Sequence, residues 1–321
     1  MYRPIVFMFS GQGSHYFQMG KGLFDNNIVF RDWMIKMDTI VARMVGCSIV
    51  DMLYNQSNKR DDVFDRMLYT HPAIFMVEYA LAQLLKERGI VPDFLLGSSL
   101  GEYTAAAVSG VIELDDMLSL LVNQAELCER YCKDGGMIAI LDRPEKYHAC
   151  AELYENCEIA SINFDSHFVV SGHIDRLRVV SEYLDKNKIS FQGLPVAHAF
   201  HSSMFDAVKP AFLTVLNDIP TRTPAIPIIS CASATTLEVI GPDNYWNAVR
   251  NPILFQQTIL EIEKKHTAIY LDLGPSGTLS TFVKYVLPGN TDAMNLSIIT
   301  PFGQEVKNLN TLEQALSDRI H

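Results

Sequence analysis

Residues 94–110, FLLGSSLGEYTAAAVSG, set the tightest limit on what this chain can fold into. An apolar run ends at Gly97, two serines follow, and a small-residue stretch begins at Gly101. Gly97-Ser98-Ser99-Leu100-Gly101 fits G-x-S-x-G, the pattern of a sharp strand-to-helix turn. In such a turn, glycines two before and two after the serine remove steric conflict. The Ser99 hydroxyl is presented at the N-terminus of the next helix, and the following backbone N–H, on Leu100, faces a developing oxyanion. The same five residues also describe an ordinary glycine-rich turn. The weight of the pattern comes from the apolar strand before it and the helix after it.

The rest of the chain supplies a matching frame. Pro4–Phe9 reads as a short buried parallel strand that ends in the turn Gly11-Gln12-Gly13. Helical spacing runs over 73–89, with Lys86 and Arg88 in the last turn, and again over 114–133. Strand, turn and helix alternating in this way predict an α/β layer on a largely parallel sheet. Between Gly135 and Pro195 the texture changes to GMIAIL, CEIASIN, HFVVSG and ISFQGLPV, with helical stretches at 144–154 and 174–187. The order β-α-β-β-α-β is that of a ferredoxin-like module. The expected division is a large part, 1–133 and 198–321, interrupted by a small part, 134–197.

Bulk properties exclude several classes. The 321 residues carry a formal charge of −11, which argues against nucleic acid as the main partner, since phosphate binding needs a basic surface. Six cysteines without C-x-x-C pairing read as reduced thiols of a cytosolic protein. No apolar run approaches a membrane span, and the apolar run before SGQGS is too short for a signal peptide core. The expectation is a soluble, cytoplasmic protein. His198 and His201 stand three apart but lack a further ligand at metal spacing, so no metal is expected.

A nucleophilic serine needs a base. Of nine histidines, His201 in HAFHSSMF is best placed, where the chain re-enters the large part after the insertion. Spacing alone does not select it.

Four segments, FSGQGSHYFQMG, GSSLGEYTAAAVSGVI, HAFHSSMF and DLGPSGTLS, resemble the motifs of the malonyl-CoA:acyl-carrier-protein acyltransferase family, in that family's order. THPAIFMVEYAL and RNPILF resemble two further segments, so the likeness covers roughly residues 4–300. It implies an α/β-hydrolase-like large subdomain with an inserted ferredoxin-like small subdomain. It also implies a Ser–His pair, Ser99 and His201, with the histidine oriented by the backbone carbonyl of Asn251. The oxyanion hole would use the backbone N–H groups of Gln12 and Leu100. No bound cofactor is implied, because the phosphopantetheine arm comes with the carrier protein or CoA.

The sequence also departs from that family. Members that carry malonyl groups place an arginine 25 residues after the serine, where it pairs with the acyl carboxylate. Here that position is Gln124. Arg130 lies six residues on, roughly 9 Å along the helix and about 240° around it, a poor substitute. An unpaired carboxylate in a partly dry pocket costs about 3 kcal/mol or more, on the order of a hundredfold in binding. Phe200 in HAFH, by contrast, is the form that accompanies malonyl and narrows the site against a branch. Ser98 replaces a common histidine, while His71 and His167 stand where the family has glutamine. By this likeness the acyl pocket comprises Gln124, Phe200, His198, His71 and Asn163.

A narrow pocket without a cation suits an unbranched neutral acyl group such as acetyl. Family members with glutamine at this position resemble acyl hydrolases of trans-acyltransferase polyketide synthases. The leading expectation is therefore a carrier-protein thioester hydrolase with an editing role. A transferase that moves malonyl or a neutral acyl group from CoA or a carrier to a carrier protein is the first alternative. A non-catalytic subunit that docks carrier proteins is the second.

Overall fold

The computed structural model describes residues 2–132 and 134–317. Two sheets organise them. The larger is built from β1 (Ile5–Phe9), β2 (Phe94–Gly97), β7 (Ile228–Ser230), β8 (Thr235–Leu237), β9 (Ile269–Asp272) and β10 (Met294–Ser297), ordered β10-β9-β1-β2-β7-β8. All neighbours in it are parallel except β7 and β8. Every residue of β1 is buried, as expected of a central parallel strand covered by helices on both faces. Main-chain bonds from Ile269 to Pro4 and from Leu273 to Met8 continue the β1–β9 ladder.

The smaller sheet holds β3 (Gly135–Ile140), β4 (Glu158–Phe164), β5 (His167–His173) and β6 (Phe191–Gly193), ordered β4-β5-β3-β6 and antiparallel throughout. One face packs on the helix Ile174–Lys186 through Leu177, Val180 and Leu184, forming a core of its own with Ile140, Phe168 and Val170. The β-α-β-β-α-β order read from the sequence is observed, with the first helical stretch broken into two short helices at Cys150. The architecture is α/β with an inserted small subdomain. The expected junction at 133/134 includes Lys133, which lies outside the described residues.

The two sheets are stitched where chemistry is expected. Ile162 N–H donates to the Ile253 carbonyl at 2.8 Å, and Ile253 N–H to Ala160 at 2.9 Å. The segment after Asn251 therefore rides on the edge of β4. Gly135 lies against Ala199 so closely that a Cβ would stand 2.5 Å from the Ala199 nitrogen. The two crossings between subdomains thus run side by side.

One helix differs from the sequence reading. It spans Met67–Glu87 rather than beginning near Ala73, and contains Pro72. Proline removes one N–H donor, that to the Leu68 carbonyl. Burial of Met67, Leu68, Thr70 and His71 on the preceding turns holds the helix through this interruption. All six cysteines are free thiols, and no described helix is long and apolar enough to cross a membrane.

Candidate active site

Ser99 sits at the hinge between β2 and the helix Gly101–Val108, with φ at 57°. Left-handed backbone at a non-glycine residue costs on the order of 1–3 kcal/mol and persists only where the surroundings over-determine it. Here they do. A Cβ on Gly97 would fall 2.4 Å from the Glu102 Cα, and one on Gly101 only 2.0 Å from the Phe9 carbonyl oxygen. Neither position can carry a side chain without moving backbone. Ser98 N–H donates to Phe9 and Glu102 N–H to the Ser99 carbonyl, both at 3.0 Å, which fixes the turn against β1.

His201 is the second strained residue, with φ at 59°. Its ring, 2 % exposed, contacts Ser99 Oγ through Nε2 at 3.0 Å and the Asn251 carbonyl through Nδ1 at 2.7 Å. A carbonyl only accepts, so the proton lies on Nδ1 and Nε2 is left to accept from the serine hydroxyl. Burial pushes the imidazole down to about 4, against the opposing pull of the Asn251 carbonyl. The ring is therefore neutral, the state a general base requires, across the neutral range.

The Gly11-Gln12-Gly13 turn crosses over this pair. Gly11 approaches so closely that a Cβ there would lie 2.9 Å from Ser99 Cβ and 3.3 Å from the Leu100 nitrogen. The backbone N–H groups of Gln12 and Leu100 find no acceptor among the described residues. Two free donors beside a serine Oγ, one at a helix N-terminus, can receive an oxyanion.

What fixes that turn is not visible in the sequence. Glu78, fully buried in the Met67–Glu87 helix, accepts from Ser10 N–H at 2.7 Å, Ser10 Oγ at 2.8 Å and Thr104 Oγ1 at 2.9 Å. It ties the end of β1 to the helix that follows Ser99. Burial raises this carboxyl to about 8 despite its three donors. Glu102 binds Ser230 Oγ and Ala232 N–H and is raised to about 7, while Asp272 binds Gly274 and Ser280 N–H and is raised to about 7, both by burial. Glutamates in an apolar helical pattern carry no sign of such contacts, because their partners lie far away in sequence.

A cleft of about 440 Å³ opens above Ser99 between the subdomains. Phe200 and Asn163 line it, together with His167, Phe282 and the Gly-Gln-Gly turn. Three residues expected in the acyl pocket do not line it, and the reason is packing. Gln124 is 1 % exposed and its Nε2 donates to the Tyr103 hydroxyl at 3.2 Å, between helices. His71 and His198 pack on Phe200, with ring centroids 6.2 and 6.1 Å away. Burial holds both imidazoles below their ordinary range, His71 at about 3. Among the described residues no lysine or arginine lines the cleft, and Arg130 is exposed elsewhere on its helix.

Comparison with known proteins identifies the family. The sequence model of the acyl transferase domain matches residues 6–319. A polyketide biosynthesis acyltransferase homolog of Bacillus subtilis (strain 168), PksD, is 49 % identical over 98 % of this chain and 97 % of its own length. A second, BaeD of Bacillus velezensis, is 42 % identical over 98 % of both. Among solved structures, the malonyl-CoA:acyl-carrier-protein transacylase of Streptococcus pneumoniae superposes with a TM-score of 0.79 at 23 % identity. It covers 97 % of this chain and all of the other, and at that identity it shows the fold alone.

Proposed function

This chain belongs to the acyl transferase domain family, and from that premise we propose that it is a carrier-protein thioester hydrolase of polyketide biosynthesis. It removes unbranched neutral acyl groups such as acetyl through an ester on Ser99. The observation that carries the reading is a cleft with an assembled Ser–His pair and no cation along its described walls. The polyketide setting comes from the names of the two relatives.

The chemistry follows from the geometry. Ser99 Oγ–H donates to His201 Nε2, and as the proton transfers, Oγ attacks the thioester carbonyl. The oxyanion is held by the N–H groups of Gln12 and Leu100. The C–S bond breaks, the departing sulfur takes the proton from His201, and an acyl ester of Ser99 remains. Asn251 keeps the imidazolium ring oriented while it is charged. Water then gives a proton to His201 and attacks the ester through the same oxyanion, and Ser99 recovers its proton as the carboxylic acid leaves. A carboxylate on the acyl chain would enter this cleft without a charge partner, so malonyl is disfavoured.

Transfer to a second phosphopantetheine thiol is the alternative reading. It is favoured by one feature: the cleft that admits the donor thiol offers the acceptor the same path. Intact-protein mass spectrometry after separate exposure to malonyl-CoA and to an acetyl-loaded carrier protein distinguishes them. Hydrolysis predicts no malonyl adduct and Ser99-dependent return of the acetyl carrier to its free thiol. A stable malonyl ester on Ser99 would reject the hydrolase reading.

A further inference from the structure

Opposite Ser99, on the small subdomain, three side chains form a hydrogen-bonded line. Ser161 Oγ–H donates to Asn163 Oδ1 at 2.6 Å, and Asn163 Nδ2 lies 2.9 Å from His167 Nδ1. The amide is placed with Oδ1 toward the serine hydroxyl and Nδ2 toward the ring. The amide nitrogen then donates to Nδ1, so the neutral imidazole carries its proton on Nε2. Burial lowers the affinity of this ring for a second proton.

The ring is also held mechanically. Phe164 stacks on it at 5.1 Å and 27°, and Phe282, from the helix Thr278–Val286 of the large subdomain, meets it at 5.3 Å. His167 is thus clamped between the subdomains, and Nε2 has no protein partner among the described residues. Ser161, Asn163, His167 and Phe282 all line the cleft that holds Ser99. His167 is half-buried, whereas Phe200 beside His201 is 5 % exposed, which places the imidazole nearer the mouth.

A fixed donor at the mouth of a thioester cleft needs an acceptor on the ligand. The thioester oxygen is already taken by Gln12 and Leu100. The next acceptors along a phosphopantetheine arm are its amide carbonyls. We infer that His167 Nε2–H is a binding station for an amide carbonyl of that arm, with Ser161 and Asn163 as positioning residues that set its tautomer. The inference rests on the proposed reading that the substrate is carried on such an arm, and it is indifferent to whether water or a thiol accepts the acyl group.

The test pairs acetyl-pantetheine with acetyl ethanethiol ester, which has no amide. His167→Leu should lower kcat/KM for acetyl-pantetheine about tenfold and leave the ethanethiol ester within about twofold, the loss of one neutral hydrogen bond. His167→Gln, which keeps a donor, should recover most of the difference. Equal losses on both esters, or a change only in the choice among acyl groups, would overturn the assignment. Free pantetheine added to protein labelled with ¹⁵N-histidine gives a readout without turnover. The His167 Nε2 resonance should shift in wild type, and His167→Leu should bind pantetheine several-fold more weakly. Unaltered His167 signals would overturn the inference. Should wild type release acetyl from neither ester, the hydrolase reading fails, and the pantetheine titration alone decides the role of His167.

Discussion

The two sides of Ser99 are satisfied to very different degrees. On one side Ser99, His201 and Asn251 form an unbroken line, and Glu78 and Glu102 bind each of the turns that hold it. Elsewhere near the site, Gln12 Oε1, His71 Nδ1, His198 Nδ1 and Gln124 Oε1 are buried without a partner among the described residues. A buried unpaired polar atom costs roughly 1–3 kcal/mol. The reacting groups are therefore set before any ligand arrives, with strain at Ser99 and His201 held by packing. The neighbouring polar side chains each leave one atom without a partner, so they are less fully satisfied than the Ser–His pair. Acyl choice in such a fold can change without disturbing the Ser–His pair.

Four substitutions can break that contrast. The largest expected effect is at Ser99→Ala, which should abolish the acyl adduct by mass and lower acetyl release by roughly 10⁴-fold or more. Retention within tenfold would place the chemistry elsewhere. Glu78→Ala leaves Ser10 N–H and Thr104 Oγ1 unpartnered in the core, and should cost about 3 kcal/mol in denaturant unfolding. A cost below about 1 kcal/mol would show that the catalytic side is not over-determined. Gln124→Arg restores a cation at the helix position that carries it in malonyl enzymes. It should raise the malonyl adduct on Ser99 by about tenfold. No gain in a folded variant would remove charge at this position from the account of acyl choice. The smallest effect is at Gln124→Leu: Tyr103 still donates to the Tyr245 carbonyl, and an unpaired oxygen is removed. Stability should change by less than about 1 kcal/mol and acetyl release by less than about threefold.

Much of the catalytic side was legible because its information is local. Gly97, Ser99 and Gly101 lie within five residues, and both glycines have a steric reason to be what they are. The alternating texture over 135–193 likewise exposed the small sheet, because period and turn residues are short-range signals. The recognition side was not legible in the same way. The family likeness, counted 25 residues on from Ser99, placed Gln124 at the pocket, but its partner Tyr103 lies 21 residues away, and only packing shows the amide held between helices. Glu78 reads as one polar residue in an apolar helix until Ser10, 68 residues earlier, is seen against it. The helix start at Met67 was hidden by Pro72, whose usual meaning was overruled by burial around it.

Three buried histidines and three buried carboxyls pull folding in opposite directions toward protons. His15, His71 and His201 are held at about 4, 3 and 4 by burial, below the roughly 6.5 of an unfolded histidine. Glu78, Glu102 and Asp272 are held at about 8, 7 and 7, above the unfolded value of about 4. Between about pH 4.5 and 6.5 the unfolded chain binds an extra proton at each of these histidines and lacks one at each of these carboxyls. The two sets cancel. Stability from these groups is therefore level across that window. Above it the carboxyls act alone, and stability falls as pH rises toward their folded values. Below it the histidines act alone, and stability falls with acid. Glu78→Gln should tilt the level stretch so that stability rises with pH by about 1.4 kcal/mol per unit, and His71→Phe should tilt it equally in the opposite sense. Paired burial of this kind lets the interior stay dry without turning these six groups into a pH sensor.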